Sequence, residues 1–187
     1  KNESSGKDLD ILCYQTAEEW SPETAITKGI GGSEEAVIHL SQQFADAGWN
    51  VTVYNSIGYK EKMFGNVLYK PYWTFNKRNK SDVCILWRSP VMAEANINTG
   101  KLFLDLHDTL PEGELNAKRL AKIDKIFVKS QAHRVLYPNV QDDKFVIIPN
   151  GIVSDIFAEK SEKDPFLMIN TSSPDRSLSA LVDCFIE

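Results

Sequence analysis

The chain has 187 residues, 42% of them hydrophobic, with a formal net charge of -5 and a pI near 5.3. That is enough apolar material for one full core and part of a second, and the acidic balance excludes a broad basic surface for nucleic acid. No apolar run approaches the roughly 18 residues of a membrane-crossing helix, and the polar start Lys1-Asn2-Glu3-Ser4-Ser5 lacks the apolar stretch of a signal peptide. The expectation is a cytoplasmic protein without a transmembrane segment. A start at Lys1 rather than Met is what is expected of a trimmed chain or of an excised piece of a longer one. Cys13, Cys84 and Cys184 are odd in number and far apart, and the first two sit in apolar runs. They read as reduced core residues, not a disulfide frame or a zinc site.

Strand-like runs recur at 9–14, 51–55, 83–87, 101–106, 125–129, 145–149 and 166–169, with helical patterns between them. That alternation predicts an α/β fold, a Rossmann-like parallel sheet with helices on both faces. After the first run comes Lys28-Gly29-Ile30-Gly31-Gly32-Ser33-Glu34-Glu35. Paired glycines before a helix let backbone N–H groups face a cleft, and the positive end of the helix dipole behind them favours an anion such as a phosphate. The same residues also suit a tight loop with Ser33 as a helix cap. The helix itself is expected over 33–47, with Val37, Leu40, Phe44 and Ala47 on its core face and Gly48 ending it. His39 lies off that stripe and reads as exposed.

Residues 56–80 mix Tyr59, Phe64, Tyr69, Tyr72, Trp73 and Phe75 with lysines, and 66–69 suits a short strand. Such aromatics either stack on sugar rings or bases, or anchor the loop to the core. The run Asp82-Val83-Cys84-Ile85-Leu86-Trp87 reads as a strand buried on both faces. It places Arg88 at a carboxyl edge, where open α/β sheets bind ligands. Leu102-Phe103-Leu104-Asp105-Leu106-His107-Asp108 delivers His107 and Asp108 to the same rim as Gly31-Gly32 if the sheet is parallel. A charged helix is expected over 112–123, with Leu115, Leu120 and Ile123 facing inward. A strand over 124–129 then puts Ser130 at its rim, and a helix over 131–137 is stopped by Pro138. The strand over 145–148 is closed by Pro149-Asn150-Gly151. Residues 158–164 carry no apolar anchor and read as a linker between a first domain, 1–157, and one βα unit, 165–187. That unit offers Leu178, Leu181, Val182 and Phe185 as a helical apolar face. Too small to bury itself, it either docks on the first domain or opens a second one.

Four motifs in this order, Gly29-Ile30-Gly31-Gly32-Ser33-Glu34, Asp105-Leu106-His107-Asp108, Val146-Ile147-Ile148-Pro149-Asn150-Gly151-Ile152 and Ser172-Ser173-Pro174-Asp175-Arg176, resemble retaining glycosyltransferases of family 4. The resemblance implies a GT-B fold of two Rossmann-like domains, with 1–157 as the acceptor-side domain and 165–187 opening the nucleotide-sugar domain. It implies that Gly31 and Gly32 approach the donor diphosphate through their backbone. It further implies that His107 hydrogen-bonds the transferring sugar, that Arg176 neutralises the leaving diphosphate, and that Asn150 and Gly151 enter the interdomain hinge. Arg88, Asp108 and Ser130 are the candidate acceptor-side rim. Positive groups fixed on a departing diphosphate lower the barrier to glycosyl transfer, so no metal cofactor is implied. The partners implied are a nucleotide-diphosphate sugar and a glycan, lipid or protein acceptor.

The chain departs from the pattern where Asn170, Thr171 and Ser172 stand upstream of Arg176 and Ser177 replaces a common glycine. The glutamate-bearing donor motif is expected after Glu187, so residues 1–187 alone are expected to turn over negligibly. Three rival readings remain open. A dinucleotide oxidoreductase would need a third glycine where Glu34 stands and a shorter loop after Tyr14. A metal-dependent hydrolase could draw on Asp105, His107 and Asp108. A carbohydrate- or protein-binding module is the reading without enzymatic activity.

Overall fold

The computed structural model of the protein describes residues 7–14, 16, 18–111, 113–152, 162, 164–170 and 178–186. The chain divides into two compact units, Lys1–Gly151 and Ile152–Glu187. The first unit runs β1 (Lys7–Leu12), α1 (Pro22–Thr27), α2 (Gly32–Asp46), β2 (Trp49–Asn55), β3 (Lys62–Phe64), β4 (Val67–Pro71), β5 (Ser81–Trp87), β6 (Thr99–Asp105), α3 (Ala117–Leu120), β7 (Lys125–Val128), α4 (Gln131–Arg134) and β8 (Phe145–Ile147). Its eight strands make one sheet in the order β3-β4-β2-β1-β5-β6-β7-β8. Every neighbouring pair is parallel except β3 with β4. The fold is α/β and Rossmann-like.

This order positions the site. From β1 the chain moves outward to β2 and β4 on one side, then returns to lay β5, β6, β7 and β8 on the other. Strand order therefore reverses between β1 and β5, and at such a switch point the loops beyond the carboxyl ends diverge and leave a crevice.

The strand period of two sorts side chains onto two apolar faces. Leu12, Tyr54, Cys84, Leu86 and Leu104 pack on one side, and Leu9, Ile11, Val51, Val53, Ile85 and Trp87 on the other. Both faces are covered, which is why β1 and β5 read as nearly continuous apolar runs. Each fully buried Leu or Ile contributes about 1.5–3 kcal/mol over leaving it exposed. Among the described residues no helix is long and apolar enough to cross a membrane.

Several local expectations need correction. The core face of α2 is Val37, Ser41 and Ala45, flanked by Ile38 and Phe44, while Leu40 is among the exposed hydrophobics. A serine can sit there because its hydroxyl donates to the Ile38 carbonyl at 3.0 Å and shares a hydrogen bond with the Tyr69 hydroxyl at 3.2 Å. Instead of one helix over 112–123, only Ala117–Leu120 is α-helical. Gly113 takes a positive φ of 83°, and the Asn116 side chain caps a new start by accepting from the Arg119 N–H at 3.1 Å. Leu115 and Leu120 still pack on the core, and Ile123 is buried. Likewise α4 stops at Arg134, short of Pro138.

In the second unit residues 166–169 form no strand, and Phe166, Leu167 and Ile169 are exposed. A strand requires a hydrogen-bonding neighbour, and the described residues of this unit supply none. Its helix, α5 (Leu178–Ile186), leaves Cys184 exposed, so only Cys13 and Cys84 are core thiols. Most of the expected linker at 158–164 lies outside the described residues.

Candidate functional site

The crevice at the switch point is a cavity of about 860 Å³. The loops beyond β1, β5 and β6 wall it: Trp20, Gly31 and Glu34 from the first, Trp87 and Arg88 from the second, Asp108 from the third. Gly29, at φ 73°, takes a backbone conformation that side-chain-bearing residues adopt only with strain. Gly31 is the N-cap of α2, with φ -67° and ψ 149° and no side-chain hydrogen bond. Gly32 opens the helix, and nothing lies within 4 Å of where its Cβ would be. The first-turn N–H groups of a 15-residue helix therefore start at the mouth, with the positive end of its dipole.

Glu34 folds back over this helix start. Its carboxylate reaches the space a Gly31 Cβ would fill and accepts from the Ser33 hydroxyl at 2.8 Å. Arg88 reaches Glu34 at 3.6 Å with one guanidinium nitrogen and Asp108 at 2.5 Å with the other. Its guanidinium also lies 4.9 Å from the centre of the Trp87 ring, a cation–π contact. The backbone explains this placement. Arg88 has φ 64°, the Ser89 N–H donates to the Trp87 carbonyl at 2.7 Å, and the Arg88 N–H donates to the Asp105 carbonyl at 2.9 Å. A tight turn immediately after β5 thus throws the side chain over the crevice in a left-handed conformation that costs about 1–2 kcal/mol for a non-glycine residue.

His107 lies beside the cavity and not among the residues that wall it. Its ring is 6.3 Å from the Trp87 ring, and its side chain is only 5% exposed. Nε2 faces Asp105 Oδ2 at 3.1 Å, and Asp105 Oδ1 accepts from Lys129 Nζ at 2.7 Å. Burial pushes the Asp105 carboxyl up, but the hydrogen bonds and charges of His107 and Lys129 outweigh it and hold the group below the ordinary carboxylate value. The nearby Cys13 thiol is pushed well up, by burial first and then by the Glu34 and Asp105 carboxylates, with Arg88 opposing. It stays protonated and is no nucleophile.

The structure thus brings Gly31, Arg88 and Asp108 together on one cavity, with Gly32 at its rim and His107 one layer behind. Ser130 is occupied elsewhere: its hydroxyl caps α4 by accepting from the His133 N–H at 3.0 Å. Asn150 and Gly151 are exposed beyond β8. Arg176 lies outside the described residues. Among the described residues no group of three or more His, Cys, Asp and Glu is arranged to hold a metal ion.

Four participants were not singled out from sequence: Glu34 as a gate over Gly31, Lys129 as the partner of Asp105, and the indoles of Trp20 and Trp87. Both indole N–H groups are buried without a hydrogen-bond partner, and the rings lie 6.2 Å apart. The position of Lys129, one residue past a buried strand on the rim that carries His107, was a usable signal. A scan against protein-family models finds no match, and a search of curated proteins finds none either.

Proposed function

We propose that residues 1–151 are the acceptor-side half of a retaining glycosyltransferase of the two-domain GT-B type. On this reading the enzyme moves a sugar from a nucleotide diphosphate to a hydroxyl-bearing acceptor. The observation that carries it is the meeting of the Gly31 turn, Arg88 and Asp108 on a single cavity at the switch point, with His107 directly behind. The second unit, from Ile152, opens the nucleotide-sugar half.

The chemistry is coherent with this arrangement. As the sugar separates with oxocarbenium character, negative charge builds on the departing diphosphate, and the α2 N-terminus at Gly31 and Gly32 is a fixed partial positive charge beside it. For the diphosphate to approach those amides, the Glu34 carboxylate turns aside about its own side-chain torsions. Carboxylates are groups that meet the hydroxyls of a sugar, and the cavity wall supplies Asp108, Glu18 and Glu19. On this reading the transferring sugar is assigned to His107, which lies behind Trp87 and does not itself wall the cavity.

A dinucleotide reading finds support in the strand order but not in the turn, where Glu34 sits in place of the third glycine with its carboxylate over Gly31. The test is transfer from a panel of labelled nucleotide sugars by the full-length protein, with NAD binding measured in parallel. Transfer that falls at least tenfold in His107→Ala supports the reading. NAD binding without transfer from any donor refutes it.

A further inference from the structure

The cluster behind the cavity carries more than the placement of one histidine. Asp105 ends β6 with its side chain 10% exposed, and both of its oxygens are committed, Oδ2 to His107 Nε2 and Oδ1 to Lys129 Nζ. Lys129 follows β7 with its side chain 19% exposed. The β6–β7 register pairs Asp105 with Phe127. Lys129 is therefore two residues further along its strand, on the same sheet face, and reaches the carboxylate across a short distance. A carboxylate clamped by an ammonium on one oxygen presents the other in a fixed direction. An ionised carboxylate only accepts hydrogen bonds, so the imidazole nitrogen facing it must carry the hydrogen.

We propose that Asp105 and Lys129 are positioning residues for His107: the carboxylate, itself oriented by the ammonium, fixes the imidazole as the Nε2–H tautomer and leaves Nδ1 as its acceptor. The functional meaning rests on the transferase reading, in which a neutral Nδ1 accepts from a sugar hydroxyl. The ring geometry does not depend on it. The charged and titratable groups around the imidazole are Asp105 beside it on β6, Lys129 past β7, Cys13 past β1, and the Arg88–Glu34–Asp108 rim network. Lys129 balances the Asp105 charge. Without it, one carboxylate oxygen has no partner and the direction of the other is no longer fixed.

Long-range proton–nitrogen NMR of the protein labelled at its histidine ring nitrogens, with His107 assigned by the signal lost in His107→Gln, reads the tautomer directly in the unsubstituted protein. The expected result is the Nε2–H pattern at neutral pH; a ring that is chiefly Nδ1–H overturns the proposal. In Lys129→Met the His107 ring should lose its single Nε2–H pattern and show both tautomers, because Asp105 is no longer held by the ammonium, and Lys129→Arg should restore it. A folded Lys129→Met protein with an unchanged ring pattern overturns the part assigned to Lys129. Should Lys129→Met fail to fold, Lys129→Gln is read the same way. No arm measures transfer, so a protein with the expected ring signature and no transferase activity refutes the transferase reading and leaves this one standing.

Discussion

Asp10 offers the sharpest test of the packing described above, because its side chain is carried into the sheet by strand register. Its Cα is paired with Thr52 on one side and Cys84 on the other, and the alternation of β1 turns it to the face of Leu12, Tyr54 and Cys84. Burial raises its pKa from the ordinary 3.8 to about 6; the Ser81 hydroxyl and Lys70 act against the rise, and the Asp8 charge adds to it. The Ser81 hydroxyl does lie near, yet it makes no hydrogen bond of good geometry, so burial dominates. The folded state then holds this proton more tightly than the unfolded chain does. The associated stability is complete below the unfolded value of 3.8 and is lost as pH rises through about 6. A rise of about two units, at about 1.4 kcal/mol each, would be worth about 3 kcal/mol for a fully buried group; Asp10 is half-buried, and solvent screening reduces this to about 1–2 kcal/mol. Asp10→Asn, an amide of nearly the same shape that never ionises, removes that loss. Its stability relative to the parent should therefore grow by about 1–2 kcal/mol between about pH 4 and pH 8. Urea denaturation followed by tryptophan fluorescence at each pH gives the difference, in which all other titrating groups cancel. A difference that stays flat across this range, within the error of extrapolation, would show that Asp10 is solvated and the reasoning wrong.

Four further outcomes are expected. Leu104→Ala, at a fully buried position in β6, should lower stability by about 2–5 kcal/mol in the same denaturation assay. Tyr69→Phe takes away the hydrogen bond to Ser41 at 3.2 Å but leaves that serine its Ile38 carbonyl, so the loss should be only about 1 kcal/mol. Gly29→Ala must hold a side chain at φ 73° and should cost about 1–2 kcal/mol. Gly31→Ala meets only the tip of the Glu34 side chain at an ordinary φ of -67°. It should leave the thermal midpoint nearly unchanged while displacing that carboxylate, seen as a shifted Glu34 side-chain resonance.

The strands were legible because a parallel sheet covered on both faces demands apolar residues in continuous runs, as in Asp82-Val83-Cys84-Ile85-Leu86-Trp87. The start of α2 at paired glycines and its stop at Gly48, which takes φ 87°, were legible because backbone geometry restricts which residues serve there. Its core face was misread by one step because a serine bonded to Tyr69 and Ile38 can be buried, and apolar counting does not see a satisfied hydroxyl. The helix α1 was missed although Ser21-Pro22-Glu23-Thr24 carries its start signal. Ser21 and Thr24 cap each other reciprocally, with Pro22 at the first turn. The β3–β4 hairpin was half seen, because only its second strand is buried, yet Gly65-Asn66 marks its turn. At the site, the rim positions of Arg88, His107 and Asp108 followed from strand ends. Long-range pairing did not: the position of Lys129 past β7 puts it on the same rim without setting it against Asp105, and nothing in the order of residues sets Glu34 against Arg88.

The hairpin strand β3 has one more bearing on how the molecule behaves in solution. An open strand invites a neighbouring molecule to add its own backbone, and proteins discourage this with short, charged or reversed outer strands. Here the outermost strand on the β4 side is three residues long, runs against the rest, and bears Lys62, whose ammonium is held by Glu23 at 2.6 Å. Little template is left for aggregation along that flank, and self-association of this unit through it is disfavoured by the shape of the sheet itself.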